Sequence, residues 1–457
     1  MNVVLISTYD LGHQPFGLAS PAAWLKRVGA SVKCFDLTVQ KLEPPVIKKA
    51  CLIGFFLPMH TATRQAIKII QLVKQFNSKA HLCAYGLYAP LNKEFLSELG
   101  IQTFFGGEFE EGLLQLANVI KLNPNQLDKV TINQPPYISV ARQEFCKPDR
   151  TNLPSLKNYA HLLTAGSKKV SGYTEASRGC QHHCKHCPIV PVYQGKFRVV
   201  QKEIVLQDIQ QQIKAGAEHI TFGDPDFFNG VKHSLEIVRD LNRRYPQVSY
   251  DVTIKIEHLL RYASHLQSLK ETGCLFITSA VESLDDHVLK LLNKGHTQND
   301  FLKALELLSA LELPLNPTFI PFTPWTSWKN YCELLDILLE KNLMECISPV
   351  QLAIRLLIPS ESPLLELTEI QKVVKSFNKK KLSYSWKHPD PSIEGLYCQI
   401  QQQVYQGNSQ GLSRSQIFAS IWTLAHSKNP SEQHNSMTFP VQPSRTTIPF
   451  LEEPWYC

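Results

Sequence analysis

Residues 177–189, SRGCQHHCKHCPI, set Cys180, Cys184 and Cys187 at the spacing C-x3-C-x2-C, directly after a strand-like run at 174–177. A short loop at that spacing turns three thiolates toward one point. That suits three irons of a 4Fe–4S cubane and leaves the fourth iron open. Structural zinc is the competing reading. It wants four ligands, and His182, His183 or His186 offers a fourth, but the paired C-x2-C knuckle of zinc modules is absent. The remaining cysteines of the twelve are dispersed singly and read as small buried hydrophobes.

Downstream, the loop opens a β/α series. Strand-like runs recur at 174–177, 219–223, 250–255, 275–280, 315–320 and 350–358, separated by helical stretches such as 202–215 and 258–271. Six such units predict a partial (β/α)6 barrel with its chemistry at the carboxyl ends of the strands. Upstream, short apolar runs at 2–7, 31–37, 51–57, 80–86 and 102–106 alternate with helical stretches such as 61–76. That alternation predicts an α/β domain with a doubly wound parallel sheet, Rossmann-like, whose ligands bind beyond the strand ends. The loops there are YDLGHQPFG, LPMHTAT, YGLYAPLN and GGEFEEG. The organisation expected is an α/β domain over 1–121, a proline-bearing linker over 122–170, the barrel over 171–386, and a helical region with a polar tail over 387–457.

A chain of 457 residues, 43% hydrophobic and 19% charged, has the composition of a folded multidomain protein. The net charge of +7 is modest, and Lys and Arg are scattered. A mildly basic surface explains this better than a nucleic-acid partner does. The N-terminus lacks signal-peptide features and no apolar run approaches the roughly 18 residues of a membrane span. The expectation is a cytoplasmic protein with no membrane partner, where clustered cysteines signal metal or redox chemistry.

At its cysteine loop the sequence resembles the radical S-adenosylmethionine (SAM) superfamily, over about residues 172–359. The resemblance implies that the open iron binds the amino and carboxylate groups of SAM. Reductive cleavage then releases a 5′-deoxyadenosyl radical, with an electron donor such as flavodoxin or ferredoxin as partner. His186 stands where the family commonly has an aromatic residue near the adenine. Gly223, Asp224, Pro225 and Asp226 stand where it has a Gly-Gly-Glu-like segment for the cofactor's ammonium, an ordinary acidic turn being the alternative. Glu282 and Ser283, in SAVESLDDHVLKLLNKGHT, fall in a segment that contacts the cofactor in the family. Lys255 and Glu257 are further polar candidates at a strand end. Arg355 is placed to meet the cofactor carboxylate, against the alternative of a core-edge salt bridge.

The N-terminal domain resembles the cobalamin-binding domain of one radical SAM subgroup, which adds cobalamin to the implied cofactors and methyl transfer to an unactivated carbon to the implied chemistry. Its histidine-ligated form uses Asp-x-His-x-x-Gly. The loop here is Asp10-Leu-Gly-His13-Gln-Pro-Phe-Gly17, so the spacing makes His13 a loop residue rather than a cobalt ligand. Members of the subgroup often bind cobalamin without that histidine. Gly106 and Gly107 either admit a nucleotide tail or serve a tight strand-end turn. The ending FLEEPWYC, with LPMHTAT, YGLYAPLN and GGEFE, resembles a group named for a Cys-Sec-Ala-Glu-Pro or Cys-Cys-Ala-Glu-Pro tail. That resemblance implies a selenoprotein-type tail read as terminating at a recoded codon, with Cys457 as a redox or substrate-anchoring thiol. The alternatives to the whole reading are a catalytically silent metal- or cluster-bearing binding protein and an RNA-modifying radical SAM enzyme. The substrate is not legible in the sequence.

Overall fold

The computed structural model describes residues 1–123, 138–164 and 166–427, with the backbone of 450–451. The upstream apolar runs form β1 (Asn2–Ser7), β2 (Ser31–Asp36), β3 (Leu52–Phe56), β4 (His81–Tyr85) and β5 (Thr103–Gly107), each within one residue of the expected bounds. A short β6 (Ile138–Ser139) adds to the β5 edge, and every pairing is parallel. Alternate residues of β1 serve opposite faces. Val3 and Leu5 pack into one core cluster, Val4 and Ile6 into another. Helices therefore cover both sides. One of them, His60–Phe76, buries Ala62, Ala66, Ile70 and Val73 at the spacing of a single helical stripe. The strand order β2-β1-β3-β4-β5-β6 reverses between β1 and β3, which opens a crevice at the carboxyl ends there.

The second sheet contains β7 (His161–Thr164) and β8 (Ser167–Thr174). After a small hairpin of β9 (Ser177–Gly179) and β10 (Phe197–Val199) come β11 (His219–Phe222), β12 (Ser249–Thr253), β13 (Cys274–Glu282) and β14 (Leu315–Phe319). β8, β11, β12, β13 and β14 are parallel neighbours in that order, and the sheet curls into a half-barrel. Its outer face, with Ile220, Phe222, Val252 and Ile277, packs under helices. The inner face is polar. On it, Asp251 accepts from Thr221 at 2.6 Å and meets His219 Nε2 at 2.8 Å.

The fold class is as expected, with two differences in detail. The run at 350–358 is not a full strand. Pro349–Ala353 form a 3₁₀ turn and Arg355 makes only an isolated bridge to Phe322. Pro349 suits the first turn of a helix, and the Gln351 side chain accepts the Phe319 N–H that a sixth strand would have taken. Second, the stretch read as a linker is structural where it is described. It supplies β6, β7 and the start of β8, the first barrel strand, which runs over 167–174 and not over the expected 174–177. Within the same stretch, Arg150 clamps Asp208 at 2.7 and 2.8 Å while donating to Gln14 of the first domain. Helices Pro391–Ser409 and Arg414–Ser427 close the barrel core through Ile400 and Ile421. Among the described residues no helix is long and apolar enough to cross a membrane.

Candidate functional site

Both sheets direct their carboxyl ends into one cleft. It holds a cavity of about 200 Å³ that opens to solvent. The first domain contributes Leu11, Met59 and Leu87 from the loops after β1, β3 and β4; the half-barrel contributes Glu175, Gly179 and Pro225. The cysteine loop leaves β9 at this rim. Its backbone is pinned from several sides. Asn229 Oδ1 accepts from Gln181 N at 3.4 Å, Leu292 O accepts from Lys185 N at 2.9 Å, and Asn293 donates to His183 O at 3.0 Å.

Cys184 is buried, and Cys180 and Cys187 are partly so. Burial pushes the Cys187 thiol up to about 12 and raises Cys180 as well, so without a bound metal these thiols stay protonated. The one trio of His, Cys, Asp or Glu donors lying within 4.8 Å of one another among the described residues is a different one, His182, Asp226 and His258. Thiols set wider than that suit three irons of a cubane better than one zinc. The donor set thus fits a 4Fe–4S cluster.

The structure separates the other candidate residues into two groups. His186 Nε2 lies 3.0 Å from Glu282 Oε1, and Lys294 Nζ lies 3.4 Å from the same oxygen. Burial opposes ionisation of Glu282, but Lys294 and His186 outweigh it and hold the carboxyl down to about 2. Glu282 reaches this place through a left-handed backbone, φ 71°, at a register shift in β13. This fixed anion stands beside Cys187 in the loop. Ser283 Oγ accepts from Asp285 N, a local turn. Lys255 is buried, with its ammonium 3.7 Å from Glu257.

Asp224 and Arg355 are engaged elsewhere. Asp224 accepts from Ala176 N at 2.9 Å and from Ser177 Oγ at 2.6 Å, so both of its oxygens brace the β8–β9 connection. Burial raises its carboxyl to about 7. Arg355 makes two hydrogen bonds to Glu394, at 2.7 and 2.8 Å, and lies over the Trp386 ring. That is the salt bridge weighed above as the alternative to a cofactor contact. Gly223 is required by close approach, because a Cβ there would lie 1.9 Å from the Tyr173 hydroxyl. Gly107, at φ 68°, would place a Cβ 2.1 Å from Ser139 O, so the strand-end turn accounts for it. His13 is buried and stacked on Tyr173 at 4.6 Å, outside the residues lining the cleft. Burial lowers its imidazole to about 4. Cys457 lies outside the described residues.

Sequence reasoning missed Arg178, two residues before Cys180. It is buried and pairs with Glu110 of the first domain at 2.7 and 2.9 Å, with Glu175 at 2.6 Å and with Glu108 at 3.5 Å. Only the packing of two domains brings these groups together, so no local pattern marks them.

Comparison with known proteins agrees with this geometry. Residues 174–336 match the model of the radical SAM superfamily. The chain is 24% identical over 268 residues to the ribosomal protein uS12 methylthiotransferase RimO of Clostridium botulinum, covering 52% of this chain and 54% of that one. It is 23% identical over 167 residues to a tRNA-2-methylthio-N(6)-dimethylallyladenosine synthase of Chlorobium chlorochromatii (34% and 36%), and 24% over 156 residues to the hopanoid C-2 methylase of Rhodopseudomonas palustris (33% and 30%). The matches span about half or less of the length of these three relatives. Among solved structures, the cobalamin-dependent SAM radical enzyme OxsB with aqua-cobalamin bound is similar at TM-score 0.68 and 15% identity, over 94% of this chain and 74% of that one. The radical SAM methyltransferase TsrM of Kitasatospora setae, with cobalamin and a [4Fe–4S] cluster bound, gives 0.59 and 14% over 75% and 73%. Residues 174–336 thus match the radical SAM superfamily model, and the fold of the two sheets is similar to that of OxsB and TsrM.

Proposed function

We propose that the protein is a radical SAM enzyme whose cluster is held by Cys180, Cys184 and Cys187, and whose N-terminal domain presents cobalamin to the same cleft for methyl transfer to an unactivated carbon. The observation that carries this reading is the convergence of both sets of strand ends, with the cysteine loop at their common rim. When bound, the cluster and SAM supply a 5′-deoxyadenosyl radical, and cobalamin supplies a methyl carrier.

The protein's part is to hold and shield. Three thiolates fix three irons and leave one position open. Glu282, kept ionised by Lys294 and His186, offers a fixed negative charge where the cationic cofactor would lie. His186 presents a planar ring to the adenine. Leu11, Met59 and Leu87 line the first-domain wall with groups that do not ligate cobalt through nitrogen, which supports a cobalamin bound without a histidine. The buried Arg178 cluster closes the domains against each other and keeps water from the space between them.

Anaerobic reconstitution with iron and sulfide tests the first half. Broad visible absorbance and reductant-dependent release of 5′-deoxyadenosine are expected, whereas a colourless zinc protein would overturn it. Retention of hydroxocobalamin on the purified protein tests the second half. Failure to retain any would reduce the first domain to a scaffold.

A further inference from the structure

We propose that His182, Asp226 and His258 bind a second metal, one divalent transition ion of the zinc or ferrous class, beside the cluster loop. The site is built from three separate parts of the chain. His182 lies between Cys180 and Cys184, Asp226 follows β11, and His258 sits in the helix Ile256–Arg261 after β12. Their donor atoms all lie within 4.8 Å of one another. Asp226 and His258 are fully buried, and His182 is nearly so.

The three atoms that face one another are His182 Nε2, Asp226 Oδ2 and His258 Nδ1, and each is buried without a hydrogen bond. Asp226 Oδ2 stands 2.7 Å from His258 Nδ1 and 3.4 Å from His182 Nε2, close but out of hydrogen-bond alignment. Buried polar groups are rarely left so, and a cation between them would satisfy all three at once. The other oxygen of Asp226 caps the turn at Phe228, which fixes the direction of the free one.

The outer contacts allow one metal-bound histidine once a single amide is turned. As placed, the Gln181 amide nitrogen lies 2.8 Å from the far nitrogen of His258, Nε2. With that amide turned to present its oxygen, the proton stays on Nε2 and the Nδ1 lone pair points inward. His182 Nδ1 faces Glu257 Oε2 at 3.6 Å, a carboxylate behind the imidazole. Two imidazoles and one carboxylate suit zinc or ferrous iron and leave coordination positions open. Such an ion would fasten the middle of the cluster loop to two barrel strands.

The test uses protein whose cluster has been assembled anaerobically, so that the three thiols are occupied. Metal analysis is expected to find one zinc, or one iron beyond the cluster's four, per chain; growth on zinc or on iron alone decides which. Co2+ added to metal-depleted, cluster-loaded protein is expected to bind once per chain with visible d–d bands and no sulfur charge-transfer band. Asp226→Asn and His258→Gln should abolish that uptake while iron content and cluster absorbance persist. Should these buried variants fail to fold, His182→Gln, at the least buried of the three, should weaken uptake at least tenfold. No ion beyond the cluster's four with no Co2+ uptake, or uptake unchanged in the variants, would overturn the proposal. Loss of the cluster absorbance in the parent protein would instead count against the cluster reading.

Discussion

Arg178 and Glu110 are joined by two hydrogen bonds, 2.7 and 2.9 Å long, between side chains that are both buried. One belongs to the half-barrel, the other to the helix Glu110–Leu122 of the first domain. Ser20 and Gln143 donate to the same carboxylate, so its oxygens are fully used. The pair sits beside the cleft and two residues from Cys180. It therefore ties the first domain to the start of the cluster loop.

Arg178→Met leaves Glu110 and Glu175 without their cation in a dry interface. Breaking a buried pair from one side costs about 3–5 kcal/mol. The urea midpoint of the first unfolding transition should fall accordingly. Arg178→Met combined with Glu110→Met should recover part of the loss, because one of the two stranded charges is gone. A double variant no better than the single one would show that packing, and not charge, holds the interface.

Glu108, beside that pair, sets a pH dependence. Burial raises its carboxyl from 4.5 to about 7, with Arg178 opposing. Between those values the folded state holds a proton that the unfolded chain has lost. Stability from this group is therefore highest below pH 4.5 and declines as pH rises to about 7. The full difference is on the order of 3 kcal/mol. Glu108→Gln keeps the shape and removes the titration. Urea midpoints of the parent should drop relative to Glu108→Gln between pH 6 and pH 8, and parallel curves would contradict the assignment.

Single replacement of Cys180, Cys184 or Cys187 by Ala should abolish both the iron–sulfur spectrum and 5′-deoxyadenosine release. Each thiol has its own iron to hold. Any one variant that keeps full cluster and activity would show that the loop is not the ligand set.

Glu282→Gln is expected to act on cofactor use more than on the cluster. It removes the anion that orients His186 and leaves the Lys294 ammonium, 3% exposed, unpaired. Iron content should stay near that of the parent while 5′-deoxyadenosine formation falls roughly 10- to 100-fold, the range for losing a supporting contact at such sites. A variant that loses its iron instead would assign Glu282 to the loop's architecture.

His13→Ala should bind hydroxocobalamin as well as the parent does. The imidazole is stacked on Tyr173 and lies outside the residues lining the cleft. Selective loss of the corrinoid in the variant would return His13 to the cobalt.

The local pattern of the chain was enough for β1 to β5 and for β11 to β14, because a buried parallel strand is written as a short apolar run and each helix as a stripe of its own. It also marked the three cysteines as a candidate ligand set, because they share a loop a few residues long. It failed at 350–358, where an apolar run became a turn because Gln351 and Pro349 offered the edge of β14 a different partner. Side chains on separate elements were legible only in the fold. Asp224 and Asp226 are two residues apart, yet one braces the β8–β9 connection and the other faces two histidines. Arg355 had two accounts of equal merit until Glu394, on a distant helix, met it. Sequence spacing governs what a single loop or strand does, while contacts between charges far apart in the chain depend on how the elements pack, and that was decided only by the tertiary structure.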